Sequence, residues 1–307
     1  MSPARPSNES EHSAFSPAGG EALLTLDLGN SSSKAVLWAW EPDADFDGEL
    51  STWSVRPLAR ASWTRGSEGQ PDKALSLVQR AVGAWLGGLA EELPRWRVAR
   101  AALSTVADLE RSDRWRTALT GLGLQAVQPD PGLELEIRHP ETCGLDRQFA
   151  ARGAVEWVGG SCVVLDAGTA LTVDAVRYEP GEPGTFLGGA IAPGPELLAD
   201  ALARGGARLW EVEPDPRAPA LGQDTSAALN AGCSVGFRGA GRELARAVGL
   251  EAGLAGAPRI FTGGARRFLL EPDAVWSGAW REDEDLVHRG LWAACRGPLP
   301  ALQPEPA

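Results

Sequence analysis

The sequence predicts an α/β protein made of two similar halves that face each other across a cleft. An apolar strand at residues 23–28 runs into a polar turn and then a second apolar strand. The same arrangement returns at residues 162–176. Each copy has an Asp followed two positions later by a Gly, and these Asp residues, Asp27 and Asp166, are 139 positions apart. That spacing is about one domain length, so the repeat predicts one strand–turn–strand unit in each of two domains.

The first turn carries groups that suit a bound phosphate. Gly29 allows a ligand to approach the backbone, the polar residues after it offer hydroxyl and amide donors, and Lys34 adds a positive charge. Asp27 stands beside this anion-binding turn, which is explained if a cation lies between the carboxylate and the anion. The alternative is an ordinary polar hairpin turn in which Asp and Asn only form the turn. The second copy favours nucleotide binding, because two such hairpins across a cleft supply the fixed donors that phosphoryl transfer requires.

The apolar periodicity predicts the remaining elements of each half. In the first half, three strands are followed by helix, strand, helix and strand, which resembles one half of the actin-like sugar kinase architecture. In the first half, strands are predicted at 23–28, 35–38, 54–63, 96–106 and 125–128, and helices at 71–93 and 112–120. In the second half, strands are predicted at 185–192 and from Arg259, and helices up to 202, from Thr225 and at 285–295. We therefore expect two RNase H-like (actin-like ATPase) domains with an interdomain cleft, at 22–150 and 151–297, with tails at 1–21 and 298–307.

Composition limits the classes of partner and the compartment. The chain has 307 residues and a net charge of −12, which argues against nucleic acid and anionic membrane surfaces as partners. Its four cysteines form no CxxC pair, so neither a zinc site nor a disulfide framework is indicated. No apolar run is long enough to span a membrane, and the N-terminal tail lacks the hydrophobic segment of a secretory signal. We expect a disordered N-terminal tail and a cytoplasmic protein.

A catalytic candidate lies between the two halves. Gly144 ends a loop, and Asp146 and Arg147 begin a helix that is predicted to reach Trp157. Asp near a helix N-terminus often only caps the helix, which is one interpretation. The other is that Arg147 grips a carboxylate while Asp146 accepts a hydroxyl proton as the γ-phosphate arrives. The residues alone leave both interpretations open.

With these motifs in place, residues 23–291 resemble the type III pantothenate kinases. Six motifs carry the resemblance, and they occur in the order that the family has. They are Asp27-x-Gly29-Asn30-Ser31-x-x-Lys34, Ser104-Thr105-Val106, Gly144-x-Asp146-Arg147, Asp166-x-Gly168-Thr169-Ala170-x-Thr172, Gly188-Gly189-x-Ile191-x-Pro193-Gly194 and Thr262-Gly263-Gly264. Each motif is moderately specific, and six of them in register are strong support.

The resemblance implies ATP-dependent phosphorylation of pantothenate to 4′-phosphopantothenate, the first step of coenzyme A synthesis. It implies Asp146 as the general base, Arg147 as a contact to pantothenate, and Asp166 as the ligand of a monovalent cation, K⁺ or NH₄⁺. It further implies Mg²⁺, and a homodimer that builds part of the pantothenate site at the subunit interface. The implied ATP-binding residues are Asp27, Leu28, Gly29, Asn30, Ser31, Ser32, Ser33, Lys34 and Thr169, and the implied substrate-binding residues are Gly144, Leu145, Asp146 and Arg147.

Three positions depart from the family's pattern. Ser31 replaces the usual Thr and keeps the hydroxyl, whereas Ile137 stands where the family has a Tyr and Gly206 where it has a Thr that contacts pantothenate. The last two changes remove polar groups on the substrate side and leave the phosphate side intact. Two alternatives stay open: an actin-like kinase for another small hydroxy acid, and a non-catalytic regulatory relative of the Bvg accessory factor type. The retained Asp and Arg residues of the motifs argue against the non-catalytic alternative.

Overall fold

The chain forms two β-sheets with helices on their outer faces and between them, as seen in a computed structural model. The structure describes residues 20–29, 32–40, 57–64, 71–94, 96–105, 109–179, 183–270, 276 and 278–295.

The first sheet has five strands and contains the first hairpin. β1 (Gly20–Leu28), β2 (Ser32–Trp40) and β3 (Pro57–Thr64) pair antiparallel, whereas β4 (Trp96–Thr105) and β5 (Gln125–Val127) run parallel to β1. The spatial order is β3-β2-β1-β4-β5, so β1 is central. Two helices of the described residues, α1 (Pro71–Glu92) and α2 (Leu109–Gly121), lie between β3 and β4 and between β4 and β5 in the chain.

The second sheet repeats this topology. A short strand, β6 (Leu133–Leu135), precedes the second hairpin. β7 (Cys162–Ala167), β8 (Ala170–Arg177) and β9 (Gly184–Pro193) pair antiparallel, and β10 (Arg259–Thr262) and β11 (Trp280–Glu282) run parallel to β7. The order is β11-β10-β7-β8-β9, with β6 added at the edge beside β9. Because one pattern of antiparallel and parallel strands occurs twice, the predicted fold class is confirmed: two RNase H-like (actin-like ATPase) domains.

β1 is buried on both faces, which explains why its sequence is almost continuously apolar. Leu24 and Leu26 lie in one hydrophobic cluster with Val82 of α1 and Leu119 of α2. Leu23, on the other face, belongs to a second cluster that fills the space between the two sheets. The strand that carries Asp27 is therefore fixed by cores on both sides.

The helices of the second half cover both faces of its sheet. α3 (Leu145–Val158) packs against β7 and β8 on the inner face. α4 (Pro195–Gly205), α5 (Thr225–Ala231), α6 (Phe237–Glu251) and α7 (Arg266–Leu269) follow in the chain. α6 covers the outer face through Phe237 and Ala245, which cluster with Val163 and Leu165. The helix predicted from Thr225 is confirmed as α5 and α6, joined by a π-helical segment at Gly232–Gly236.

The last helix, α8 (Leu286–Ala294), returns to the first sheet, where it contacts β1 and β4, and it also packs against α3. The two helices meet at Gly153 and Gly290. A Cβ added to Gly290 would lie 1.9 Å from Phe149 O, and one added to Gly153 would lie 2.5 Å from Leu286 O. The helices can therefore cross at this distance only because neither position carries a side chain.

The predicted elements are confirmed with ends shifted by a few residues, and two strands were not predicted. β6 and β11 have three residues each, too few for apolar periodicity to indicate a strand. Residues 54–56 of the predicted third strand and residues 1–19 and 296–307 of the predicted tails and chain end lie outside the described residues. The domain limits at 22–150 and 151–297 stay a prediction. Contacts that cross these limits include the pairing of β6 with β9 and the packing of α8 on β1 and β4.

Candidate active site

Asp27 lies near the end of β1, on the face of the first sheet that looks toward the second half. The sheet register places Lys34 of β2 on one side of it and Ser104 of β4 on the other. Side chains that stand opposite each other in register project from the same face. The first hairpin therefore presents a carboxylate and an ammonium side by side.

Asp166 is the counterpart of Asp27 in the second sheet, near the end of β7. The register places Thr172 of β8 and Thr262 of β10 beside it. Thr172 therefore occupies the place that Lys34 has beside Asp27, and Thr262 the place that Ser104 has. Gly263, which follows β10, has a φ of +85°, and a Cβ there would lie 2.4 Å from Asp166 Oδ1. The predicted Thr-Gly-Gly motif thus brings backbone directly against the carboxylate.

Three carboxylates share the cleft between the hairpins. Burial raises the pKa of Asp27 to about 7, and the charges of Asp146 and Asp166 add to this effect while Lys34 opposes it. Burial likewise raises the pKa of Asp166 to about 6, opposed by Lys34 and reinforced by Asp146. The pKa of Asp146 is also raised, mainly by burial. Because the charge of Asp146 acts on both Asp27 and Asp166, and that of Asp166 on Asp27, the three carboxyl groups lie near one another in the cleft.

Several buried polar atoms of the cleft have no hydrogen-bond partner among the described residues. They are Asp27 Oδ1, Ser104 Oγ and Thr172 Oγ1. Ser33 Oγ is also without a partner, but Ser33 pairs with Leu28 and Trp63 and so projects from the other face of the first sheet. Unpaired buried polar atoms are costly, so such a set indicates a ligand that supplies the missing partners. Carboxylate and hydroxyl oxygens bind hard cations, and a cation would stabilise the ionised forms of Asp27 and Asp166. The residues present therefore fit a bound cation.

The acidic groups of the cleft do not form a complete metal cage. Within the described ranges, no group of three or more His, Cys, Asp or Glu side chains could hold a metal ion by itself. Mg²⁺ in nucleotide enzymes is typically bound through one or two carboxylates together with the phosphates of the substrate. The arrangement fits a cation that arrives with a phosphate ligand.

Asp146 and Arg147 lie in the first turn of α3, as predicted. Gly144 occupies the N-cap position, so Asp146 is not the N-cap residue itself. Asp146 Oδ1 accepts a hydrogen bond of 2.9 Å from the Arg147 backbone N–H. Free N–H groups of a first helical turn favour a negative charge, and burial opposes it by raising the pKa of this carboxyl. The side chain is partly exposed toward the cleft, where it can meet a ligand.

Arg147 is paired with Asp174, a residue that was not among the predicted site residues. Arg147 Nε lies 3.2 Å from both carboxylate oxygens of Asp174, and Nη2 donates to Oδ1. The guanidinium also lies over the ring of Phe186, with its central carbon 5.3 Å from the ring centroid. An acidic residue in the middle of an apolar strand is the sequence signal that identifies Asp174 as unusual.

A cavity of about 340 Å³ opens beside Lys34, between the two halves. Its walls come from β2 and β3 on one side and from Gly264, Arg266 and the start of α8 on the other. Arg60 Nε and Nη2 donate to Asp285 Oδ2 at 2.8 and 2.6 Å, which joins the two walls. The volume lies in the usual range of small-molecule pockets, about 300–1,000 Å³.

Most of the described residues that are predicted to contact ATP or substrate lie around the cleft between the two hairpins. Leu28 is 1% exposed, so a ligand can reach it only through its backbone, and Ser33 is fully buried. Thr169 is exposed in the second hairpin, and Gly29, Gly144 and Leu145 are partly exposed. Asn30 and Ser31 lie outside the described residues, and Ser32 is described only as part of β2. The contacts assigned to these residues stay predictions.

The two substrate-side departures sit in different surroundings. Ile137 packs against the hydrophobic cluster between the sheets. Gly206 is the C-cap of α4, and a Cβ there would lie 2.5 Å from the Leu209 side chain. Ile137 therefore adds to the core, and Gly206 leaves space that Leu209 fills.

The repeated fold, the paired hairpins and the cleft carboxylates define a phosphotransferase of the actin-like class. The sequence profile of the type III pantothenate kinases matches residues 23–247. A type III pantothenate kinase of Thermomicrobium roseum is 37% identical over 285 residues, covering 88% of this chain and 100% of that protein. Those of Streptomyces avermitilis and Thermus thermophilus are 34% and 36% identical, covering 71% and 66% of this chain and 76% and 77% of their own lengths. The chain belongs to the type III pantothenate kinase family.

Proposed function

We propose that this protein transfers the γ-phosphate of ATP to the terminal hydroxyl of pantothenate, the first step of coenzyme A synthesis. Membership of the family supports the reaction class. The observation that carries the proposal is the cluster of Asp27, Asp146 and Asp166, whose charges act on one another in one cleft. Phosphoryl transfer depends on positioning and on neutralising phosphate charge, and these carboxylates can hold cations and accept a proton.

Asp146 is the proposed general base. Its raised pKa makes the carboxylate a stronger base than an exposed Asp, and the Arg147 N–H fixes one of its oxygens at 2.9 Å. Arg147 is adjacent in sequence and supplies the positive charge that receives the pantothenate carboxylate. A hydroxyl held by this pair loses its proton to Asp146 as the phosphoryl group arrives, which is the positioning effect that lowers the barrier.

ATP is proposed to lie between the two hairpins, with its phosphates on residues 27–34 and Thr169. The Lys34 ammonium offsets part of the phosphate charge, and the buried hydroxyls of Ser104 and Thr172 have unused hydrogen-bonding capacity. Asp166 would hold a K⁺ or NH₄⁺ ion, and this ion together with Mg²⁺ bound to the nucleotide would neutralise charge on the phosphate oxygens. The cavity beside Lys34 reaches Gly264 and has room for the nucleoside part.

The active assembly is proposed to be a homodimer. Ile191, at the end of β9, is 65% exposed, and Leu197 and Leu202 of the neighbouring α4 are each 37% exposed. Large apolar side chains exposed close together favour association with another protein surface. These residues follow the same hairpin that carries Thr169, so a partner there would stand near the cleft.

The enzyme is proposed to work in the cytoplasm on small molecules, without nucleic acid or membrane partners. In the part of the chain that the structure describes, no helix is both long and apolar enough to cross a membrane. The net charge of −12 disfavours polyanionic partners.

The test is ADP release with pantothenate, ATP and Mg²⁺, measured in K⁺, NH₄⁺ and Na⁺ in parallel. We expect turnover that requires pantothenate, rises in K⁺ or NH₄⁺ relative to Na⁺, and falls by about 10²–10⁴-fold in Asp146→Asn. A folded protein that gives no pantothenate-dependent turnover in any of these salts would overturn the proposal.

A kinase for another small hydroxy acid is the second candidate, and Ile137 and Gly206 favour it. These residues lack the polar side chains that the family places near the substrate. Screening hydroxy acids in the same assay separates the two candidates, since the better substrate has the higher kcat/KM. A folded protein that turns over ATP with none of the acceptors, and none in their absence, would instead favour the non-catalytic alternative.

A further inference from the structure

Asp174 is a buried acidic residue in the interior of an apolar strand. It is 1% exposed, and it stands in β8 between Val164 of β7 and Gly189 of β9. Burying a carboxylate is costly unless it is paired and hydrogen-bonded. A carboxylate in this position therefore requires a specific partner.

The partner of Asp174 is Arg147, and the pairing leaves one edge of the guanidinium available. Nε and Nη2 both contact the Asp174 carboxylate. Among the described residues, Nη1 has no hydrogen-bond partner. A guanidinium can bind two carboxylates through two different edges, so the outer edge can receive a second carboxylate while the inner edge stays on Asp174.

Two further groups fix the plane of the guanidinium. The ring of Phe186 lies under it, 5.3 Å from its central carbon. Gly189 makes room for Asp174, because a Cβ there would lie 2.5 Å from Asp174 Oδ1 and 2.0 Å from Val173 O. The second glycine of the predicted Gly188-Gly189 motif thus has a local purpose, which is to let the carboxylate stand in the core beneath Arg147.

We propose that Asp174 is the positioning residue of the substrate site, which holds Arg147 so that its outer edge faces the substrate's carboxylate. Asp174 touches no substrate and acts only through Arg147. The inference rests on the proposed function, since it assumes that the acceptor is a hydroxy acid whose carboxylate Arg147 binds. It predicts that selectivity for an acidic acceptor depends on a residue buried beneath the site.

The experiment compares two acceptors, pantothenate and panthenol, in which an alcohol replaces the carboxylate and the phosphorylated hydroxyl is unchanged. Wild type, Asp174→Asn and Glu136→Gln are assayed in the full chain. Glu136→Gln is the matched control, because it breaks the exposed Arg177–Glu136 pair, which also involves β8. In Asp174→Asn we expect KM for pantothenate to rise about tenfold or more, with KM values for ATP and panthenol within about twofold of wild type.

The preference for pantothenate over panthenol is the readout that a merely structural role would not move. Asp174→Asn should reduce this preference about tenfold, and Glu136→Gln should leave it unchanged. A variant in which both acceptors lose kcat/KM equally would overturn the inference, because it would show general damage to the site.

Asp174→Glu keeps the experiment decisive if the Asn variant does not fold. It preserves the charge, and so a paired Arg147, but its longer side chain displaces the carboxylate and with it the guanidinium. We expect the same loss of preference for pantothenate, and an unchanged preference would overturn the inference. Wild type that turns over neither acceptor would overturn the proposed function instead, so the two failures are distinguishable.

Discussion

Thr25 Oγ1 and His288 Nδ1 lie 3.0 Å apart, and this contact joins the first strand to the last described helix. The Thr25 hydroxyl donates to Val36 O at 3.1 Å and accepts from Trp38 Nε1 at 2.8 Å. Its single proton is thereby used, so His288 Nδ1 must carry a proton and donate. His288 Nε2 is buried and has no partner among the described residues, so the neutral ring is the form that fits.

Replacing His288 by Asn should remove an acid-dependent loss of stability. Burial lowers the pKa of His288 to about 3, from an ordinary value of 6.5. Between these pH values the unfolded chain binds a proton that the folded chain does not, so wild-type stability falls as the pH drops below 6.5. The loss at pH 5 is about 2 kcal/mol, and Asn can keep the donor to Thr25 without titrating. Urea unfolding at pH 5 and 7.5 measures the difference.

The control for this experiment is His139→Asn, which changes an exposed histidine whose side chain is 68% accessible. It should follow the wild-type pH dependence. The same dependence in His288→Asn as in wild type would contradict the buried neutral ring.

Breaking the Arg60–Asp285 pair should destabilise the contact between the halves. The Asp285 side chain is 5% exposed and Arg60 is half-exposed. Arg60→Met leaves the carboxylate buried without its two donors, so we expect a loss of about 1–2 kcal/mol in the free energy of unfolding. Glu284→Gln removes a longer pair of 3.7 Å to the same arginine, between half-exposed groups, and should cost less than about 0.5 kcal/mol. Equal losses in the two variants, measured by urea unfolding, would refute this account.

Asp27→Asn should stabilise the ligand-free protein at alkaline pH while abolishing turnover. The pKa of Asp27 is about 7 in the folded state against 3.8 ordinarily. The folded chain holds the proton that the unfolded chain loses, so wild-type stability falls as the pH rises from about 4 to 7. The variant lacks this loss of stability, which amounts to at most about 4 kcal/mol at pH 8. The figure is an upper limit because Asp146 and Asp166 titrate together with Asp27.

Thermal unfolding at pH 4.5 and pH 8 tests the Asp27 prediction. The difference between variant and wild type should grow with pH. Asp113→Asn, at an exposed position of α2, should show no such growth. A variant that is less stable than wild type at pH 8 would show that the ionised carboxylate is favourable in the empty cleft.

Gly290→Ala should destabilise the crossing of α3 and α8 by about 3 kcal/mol or more, because its Cβ would lie 1.9 Å from Phe149 O. The same change at Gly88, in an exposed part of α1 with no atom within 4 Å of the added Cβ, should stabilise by about 0.5–1 kcal/mol. Urea unfolding of both variants distinguishes crowding from helix propensity. A neutral Gly290→Ala would mean that the helices can separate without loss.

The repeated hairpin could be predicted because its signal is local. An apolar strand, an Asp, a Gly and a second strand lie within about fifteen residues, and their recurrence at Asp166 predicted one such unit in each half. The helix α3, whose first turn carries Asp146 and Arg147, was predictable for the same reason. What could not be predicted is which charges meet, since this depends on contacts between elements that are far apart in the chain.

Asp174 and His288 illustrate this limit. Asp174 is an acidic residue in the middle of an apolar strand, and His288 is a histidine in an apolar helix. Each is unusual in its own segment, but the sequence of that segment does not predict which residue it contacts. Arg147 and Thr25 become their neighbours only when two sheets close around α3 and α8. The short edge strands β6 and β11 were not predicted because three residues are too few to show an alternation of apolar and polar side chains. They are strands only because they pair with β9 and β10.

The two hairpins have the same backbone arrangement but different charged side chains, so the two sides of the cleft are not equivalent. Lys34 stands beside Asp27, and Thr172 occupies the matching place beside Asp166. A cleft with exact two-fold symmetry would bind an elongated anion equally well in either of its two opposite orientations. With an ammonium on one wall and a hydroxyl on the other, the two orientations differ in energy, so a symmetric frame can hold an asymmetric molecule one way round.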